Sequence, residues 1–263
     1  MRIILTGKNS YIGRNTRDYL ISQGYEAECV SVREDVNFKG ADVVVHCAAI
    51  VHKREEEYRD EYENVNFLLT RKLADKAKED GVSQFIFMST MAVYGVTEGE
   101  INENTPPEPK TLYGKSKLKA EKYVMSLNCD SFKTAVIRPP MVYGPKCPGN
   151  FERLKKIAEI TPLIPDTGNK KSLIYMGNLA YFIGDIIKNK KEGIYMPMDG
   201  EYVSTAKLMK YISHKPVSKI MGLVKLLPLG VVKKAFGTLY YSESIAQKIN
   251  HVSVEEAVRS SVK

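Results

Sequence analysis

Over the first two thirds of the chain, short apolar runs alternate with longer amphipathic stretches. Arg2–Thr6 (RIILT), Tyr25–Val32, Ala41–His46 with its three consecutive valines, Gln84–Met88 (QFIFM) and Thr134–Arg138 (TAVIR) read as strands. The runs that are apolar throughout read as strands buried on both faces. Between them, Tyr11–Gln23, Lys53–Asp80 and Leu112–Leu127 read as helices, the first two stopped by Gly24 and Gly81. Pro139 and Pro140 halt the fifth strand. Strands alternating with helices predict parallel βαβ units and an α/β fold built on a doubly wound sheet. Beyond Pro145 the order loosens: Pro, Gly and Asn punctuate short helices, and one strand, Gly193–Met198, is expected to return to the sheet. The predicted division is residues 1–145, with 172–199 returning to them, and a small C-terminal lobe of 146–171 and 200–263.

Composition changes this picture little. With 263 residues, 43% hydrophobic and 27% charged, the chain has enough material for a sizeable core, which excludes a disordered or fibrous class. Met1 runs straight into a strand, so no leader is expected. The apolar stretch Ile220–Val232 holds Lys225 and Pro228 and is too short to span a bilayer. Cys29, Cys47, Cys129 and Cys147 form no C-x-x-C pair, which predicts reduced thiols and a cytoplasmic protein. The net charge of +8 is spread along the sequence. It suits an anionic small molecule or a plain solvated surface, and no zinc-finger or RNA-recognition pattern supports nucleic acid. The basic, apolar stretch Val217–Phe236 reads as packing of the C-terminal lobe in preference to a membrane contact. His46, His52, His214 and His251 lack metal-ligand spacing, so no metal is expected. His46, inside a buried strand, reads as a satisfied core histidine.

Candidate chemistry begins where the first strand ends. Thr6-Gly7-Lys8-Asn9-Ser10-Tyr11-Ile12-Gly13 opens the first helix, as a pyrophosphate-binding turn requires: a tight bend, close backbone approach and a helix N-terminus. Gly7 and Gly13 take the first and third glycine positions, and Ser10 stands at the second. This points to a Rossmann-type NAD(P)-binding domain over the N-terminal residues. An NAD site would place a carboxylate at the tip of the second strand. Here Ser31-Val32-Arg33 carries a guanidinium suited to a 2′-phosphate, which favours NADP(H). NAD(H) stays open, with Glu34 or Asp35 as the acidic partner. Further on, Ser89 and Thr90 end the fourth strand, and Tyr113 and Lys117 follow as Y-x-x-x-K on one helix face. A lysine one turn from a tyrosine favours its phenolate and brings it toward the working range of an acid–base catalyst.

These segments together resemble the extended short-chain dehydrogenase/reductases, in their nucleotide-sugar epimerase/dehydratase branch. TGKNSYIG resembles the T-G-x-x-G-x-x-G loop, departing at Ser10. DVVVHCAA, ending in Ala48 and Ala49, resembles the strand beside the nicotinamide ribose. YENVN places Asn64 at the cofactor-facing asparagine. FMSTMAVYG, the span from Thr105 to Tyr123, and VIRPPMVYGP with Pro140 resemble the catalytic and nicotinamide segments. KSLIYMGNLA and SVEEAVRSSV are similar to later elements. The resemblance implies that a sugar carbon exchanges hydride with a nicotinamide. Tyr113 then moves the proton, Lys117 binds the ribose, and Thr90, with neighbouring Ser89, orients the oxygen. Asp35 and Val36 fall by the adenine. Met141, Asn150 and Lys171 fall where relatives touch substrate.

Three departures bear on the reaction. Only about ten residues separate the second and third strands, so the helix usual there in 4-epimerases is missing. Met141 replaces a substrate-facing asparagine, and Met91-Ala92 replaces the acidic pair that dehydration needs. The sequence therefore predicts NAD(P)H-dependent reduction of the 4-keto group of a nucleotide-activated, UDP-linked sugar in polysaccharide precursor synthesis. An NAD-dependent UDP-sugar 4-epimerase is the alternative, and a non-catalytic NAD(P)-binding scaffold comes behind both. No nucleic-acid partner or stable membrane insertion is expected, and the resemblance admits a homodimer.

Overall fold

The computed structural model describes residues 1–33, 35–51, 57–218 and 236–262, with the side chain of Asn150 also outside the described set. The helix start at Lys53, His52, Glu34 and most of Val217–Phe236 lie outside these residues. The chain divides into two compact units. The first holds Met1–Gly95, Thr105–Pro139 and Leu179–Pro197, and the second Val96–Asn104, Pro140–Asn178 and Met198–Lys263. The division expected from the sequence left 96–104 in the first unit and set the boundary at 145 instead of 139.

The first unit contains β1 (Arg2–Thr6), α1 (Tyr11–Ser22), β2 (Glu26–Val30), β3 (Val43–His46), α2 (Arg59–Glu63), α3 (Leu69–Glu79) and β4 (Gln84–Met88). In the second, β5 (Gly99–Ile101) follows. The chain then returns with α4 (Leu112–Ser126) and β6 (Lys133–Ile137). The single long helix expected over Lys53–Asp80 is interrupted: a π-helical turn, Asn64–Leu68, separates α2 from α3. The second unit continues with β7 (Met141–Tyr143), α5 (Asn150–Ile160), β8 (Ile164–Pro165) and β9 (Leu173–Tyr175). After α6 (Met176–Lys188) and β10 (Gly193–Asp199) come α7 (Thr205–Ser213), β11 (Val217–Ser218), β12 (Leu239–Tyr241), β13 (Ala246–Ile249) and α8 (Val254–Val262).

Six strands of the main sheet belong to the first unit, in the order β10-β6-β4-β3-β1-β2, and all five neighbouring pairs are parallel. Every residue of β3 and β4 is buried, as expected for sheet strands covered on both faces. Phe38, Val44, Phe67, Phe85, Phe132 and Val136 form one core cluster there. The registers align the strand ends. Thr6 pairs with Val30 and with His46, His46 with Phe87, and Met88 with Ile137. The loops that follow therefore emerge along one edge. From β1 the chain goes to β2 on one side and then to β3 on the other, which makes the β1/β3 crest the switch point where α/β sheets bind ligands.

The second unit has its own core, in which Tyr143, Phe151, Leu173, Met209 and Val258 pack together. Asp199 is fully buried there and accepts from Tyr143 Oη at 2.8 Å, the Tyr175 amide at 2.9 Å and Asn178 Nδ2 at 2.8 Å. Burial raises its carboxyl to about 6 despite these donors.

Candidate active site

The phosphate-loop residues assemble at the switch point. Gly7 has φ +91°, and a Cβ there would stand 3.1 Å from the Ala48 backbone, so the bend requires glycine. Ser10 proves to be the N-cap of α1, its Oγ accepting from the Gly13 amide at 3.1 Å. A serine at the second glycine position thus closes the loop onto the helix it opens. A Cβ at Gly7 or at Gly13 would stand 3.3 Å from the Ser10 Cβ, a tight contact in each case. Asn9, Tyr11, Ile12, Ala48 and Ala49 line this loop and the end of β3. The narrow glycine cradle and capped helix N-terminus fit the pyrophosphate of a dinucleotide. At the end of β2, Arg33 is exposed, and its amide donates to Ser31 Oγ at 3.3 Å. Asp35 pairs with Lys72 at 2.8 Å, which holds its carboxyl below the usual range. Val36 packs against the core cluster.

The candidate catalytic groups meet where β4 ends. Thr90 caps a short 3₁₀ turn, Met91–Tyr94, accepting from the Ala92 amide at 3.1 Å. It also hydrogen-bonds the Tyr113 phenol. Thr111 caps α4, its Oγ1 accepting from the Gly114 amide at 3.0 Å. Burial pushes the Tyr113 phenol up to about 12, while the Thr90 hydrogen bond pulls the other way. Lys117, one turn further along α4, is 2% exposed, donates to the Met88 carbonyl at 2.7 Å and lies 4.5 Å over the Phe87 ring. Burial lowers Lys117 itself to about 8.

Two further expectations change. Ser89 does not join Thr90 and Tyr113: its Oγ donates to the buried Glu121 carboxylate. Asn64, on the π-helical turn, is exposed, and the asparagine brought inside is Asn66. Its Oδ1 accepts from the Ile50 amide at 2.8 Å, and its Nδ2 donates to the Ile50 carbonyl at 3.0 Å and to Ser116 Oγ at 3.2 Å. Asn66 thus clasps the loop after β3 to α4 beside Lys117. The sequence offers both asparagines of Asn-Val-Asn, and only the helical phase at the π turn selects one.

His46 is the satisfied core histidine read from the sequence. Thr70 Oγ1 donates to the Asn66 carbonyl at 2.9 Å, so it accepts from His46 Nε2–H at 2.8 Å, and Nδ1 accepts from Thr6 at 2.6 Å. Burial depresses the imidazole to about 3.

In the second unit, Met141 starts β7 opposite Leu173, and Lys171 exchanges backbone hydrogen bonds with Val203. Burial lowers the Lys171 ammonium, against the pull of Glu98. Pro140 precedes Met141, and Asn150 opens α5. Among the described residues no cluster of metal-ligating side chains occurs, and no helix is long and apolar enough to cross a membrane.

The NAD dependent epimerase/dehydratase family matches residues 3–180, and the chain belongs to that family, whose members are enzymes of the short-chain dehydrogenase/reductase type. A relative named UDP-glucose 4-epimerase, from Vibrio cholerae, is 30% identical over 94% of this chain and 84% of its own. Among solved structures, UDP-glucuronic acid 4-epimerase from Bacillus cereus in complex with NAD superposes with a TM-score of 0.77. Its identity is 19%, over 100% of this chain and 97% of that one. The dTDP-4-dehydrorhamnose reductase from Bacillus anthracis in complex with NADP has a TM-score of 0.66 at 21% identity, covering 82% of each chain.

Proposed function

We propose that this chain oxidises and reduces C4 of a UDP-activated hexose with NAD(P), turning over as a 4-epimerase. The observation that carries this reading is the meeting of Thr90, Tyr113 and Lys117 at the end of β4, on the sheet edge that bears the phosphate loop. A bound oxidised nicotinamide would supply the hydride acceptor and a positive charge. Gly7, Ser10, Gly13 and Lys117 would hold that cofactor. Thr90 orients the sugar O4, and Tyr113 takes the O4 proton and returns it to the same oxygen once C4 is inverted. A phenol held near 12 stays protonated at neutral pH and needs an added cation to act as base. The Vibrio cholerae relative, named as a 4-epimerase, supports the epimerase reading.

The second reading is the reductase, in which Tyr113 only donates its proton. It is favoured by the connection from β2 to β3, which carries no helix among its described residues. The test is incubation with UDP-glucose or UDP-GlcNAc without added reductant, where accumulation of the 4-epimer is expected. No epimer, together with NADPH consumed one-for-one on a UDP-4-keto-6-deoxy sugar, would replace this reading by the reductase. Cofactor choice is read on Arg33→Ala. If Arg33 takes a 2′-phosphate, the variant weakens NADPH by roughly 1.5–3 kcal/mol and leaves NADH unchanged. Equal losses would remove that role.

A further inference from the structure

Tyr113, Lys117 and Glu121 stand four residues apart on one face of α4. The first two belong to the reaction just described. The third is 1% exposed and meets Arg138, 7% exposed, in a forked ion pair: Nε to both carboxylate oxygens at 3.1 Å, and Nη2 to Oε2 at 2.6 Å. Arg138 Nη1 donates to Tyr94 Oη at 2.9 Å, at the far end of the 3₁₀ turn that Thr90 caps. Ser89, between the Met88 carbonyl that holds Lys117 and the Thr90 hydroxyl that meets Tyr113, donates a hydrogen bond to Glu121. Backbone bonds run to the same place: the Ser89 amide to the Ile137 carbonyl at 2.7 Å, and the Met91 amide to the Pro139 carbonyl at 3.0 Å.

An apolar pair of equal volume would serve stability as well as a buried ion pair, or better. What charge and hydrogen bonding add is direction. We infer that Glu121 and Arg138 form a positioning pair that, through Ser89 and Tyr94, sets the end of β4 against α4, so that the Met88 carbonyl and Thr90 hydroxyl meet Lys117 and Tyr113. The inference rests on the reading of the site proposed above. Both ends of the segment Met88–Tyr94 are tied to the pair, and the catalytic hydroxyl lies between the ties.

Ser89→Ala cuts the link to the strand and leaves the ion pair intact. It is expected to lower kcat about 10- to 100-fold, the scale of a small misplacement of reacting groups. KM for the sugar and Kd for NAD(P)H should stay within about twofold of wild type. Ser89→Thr, which keeps the hydroxyl, should recover most of the loss. Glu121→Met, similar in length but without an acceptor, should lower kcat similarly, and adding Ser89→Ala to it should cost little more, because the first substitution already removes the partner of the Ser89 hydroxyl. Ser89→Ala with kcat within about twofold of wild type, or with a lowered Tm and unchanged kcat, would overturn the inference. Additive losses in the double variant would do the same. Absence of any turnover by the wild-type enzyme would instead count against the proposed reaction. The pair is then read in the Lys117 ammonium, followed by its ¹³Cε resonance and assigned by its loss in Lys117→Met. Lys117 is faced by His46 and Cys47 from β3 and the loop after it, and by Glu121 from its own helix. Its titration midpoint should move in Ser89→Ala, where the Met88 carbonyl is no longer held. An unmoved midpoint would refute the pair's role.

Discussion

At the scale of single residues, Tyr113 is held as a phenol. Burial drives it to about 12, and the hydrogen bond from Thr90 opposes that only in part. Lys117, one turn along α4, gives one of its three ammonium donors to the Met88 carbonyl. Tyr113→Phe is therefore expected to lower turnover about 10²–10⁴-fold, the range for losing a general acid or base, with Kd for NAD(P)H unchanged by fluorescence titration. Near-wild-type turnover would remove Tyr113 from the mechanism. The tyrosine–lysine spacing was plain in the sequence. Where the lysine's charge goes was not, because its partner is a backbone carbonyl that any residue at position 88 would supply.

At the scale of elements, the site depends on how closely α4 approaches the 3₁₀ turn after β4. Gly114 lies at that approach: a Cβ there would stand 2.8 Å from the Ala92 carbonyl and 2.9 Å from the Pro109 Cβ. Gly114→Ala must push the start of α4, with Tyr113, away from the turn that carries Thr90. We expect kcat to fall by at least tenfold, with NAD(P)H affinity little changed because the phosphate loop lies on other elements. Steady-state kinetics with cofactor titration checks this, and an unchanged kcat would show that the two elements can part without cost. The same scale explains the asparagine. A one-turn widening of the helix between α2 and α3 places Asn66 inside and Asn64 outside, which a 3.6-residue period does not reveal.

Across the whole molecule, buried titratable groups tie folding to pH. His46 titrates near 3 when folded and near 6.5 when unfolded, so below 6.5 the unfolded chain binds a proton that the folded one refuses. Its contribution is fully present above about 6.5 and is lost as pH falls toward 3, up to about 3–5 kcal/mol. Asp199, raised to about 6, acts in the opposite sense between about 4 and 6, its contribution fading as pH rises. Between pH 7 and 4 the two groups oppose each other, so the expected outcome is a difference: lowering the pH should change Tm less favourably in wild type than in His46→Gln. Equal slopes would mean that His46 is protonated in the folded protein at these pH values.

The strand and helix order, the parallel doubly wound sheet, the phosphate loop and the Thr90–Tyr113–Lys117 series were written in local patterns: apolar runs, glycine positions and a four-residue spacing. Such patterns survive in a bare sequence because each depends on neighbours only a few residues away. Tertiary structure alone decided that Ser89 turns to Glu121, that Arg138 completes that pair from another strand, and that residues 96–104 belong with the second unit. A buried carboxylate and a guanidinium 17 positions apart look like two surface charges until the fold removes water from both and pairs them with each other, with Ser89 and with Tyr94.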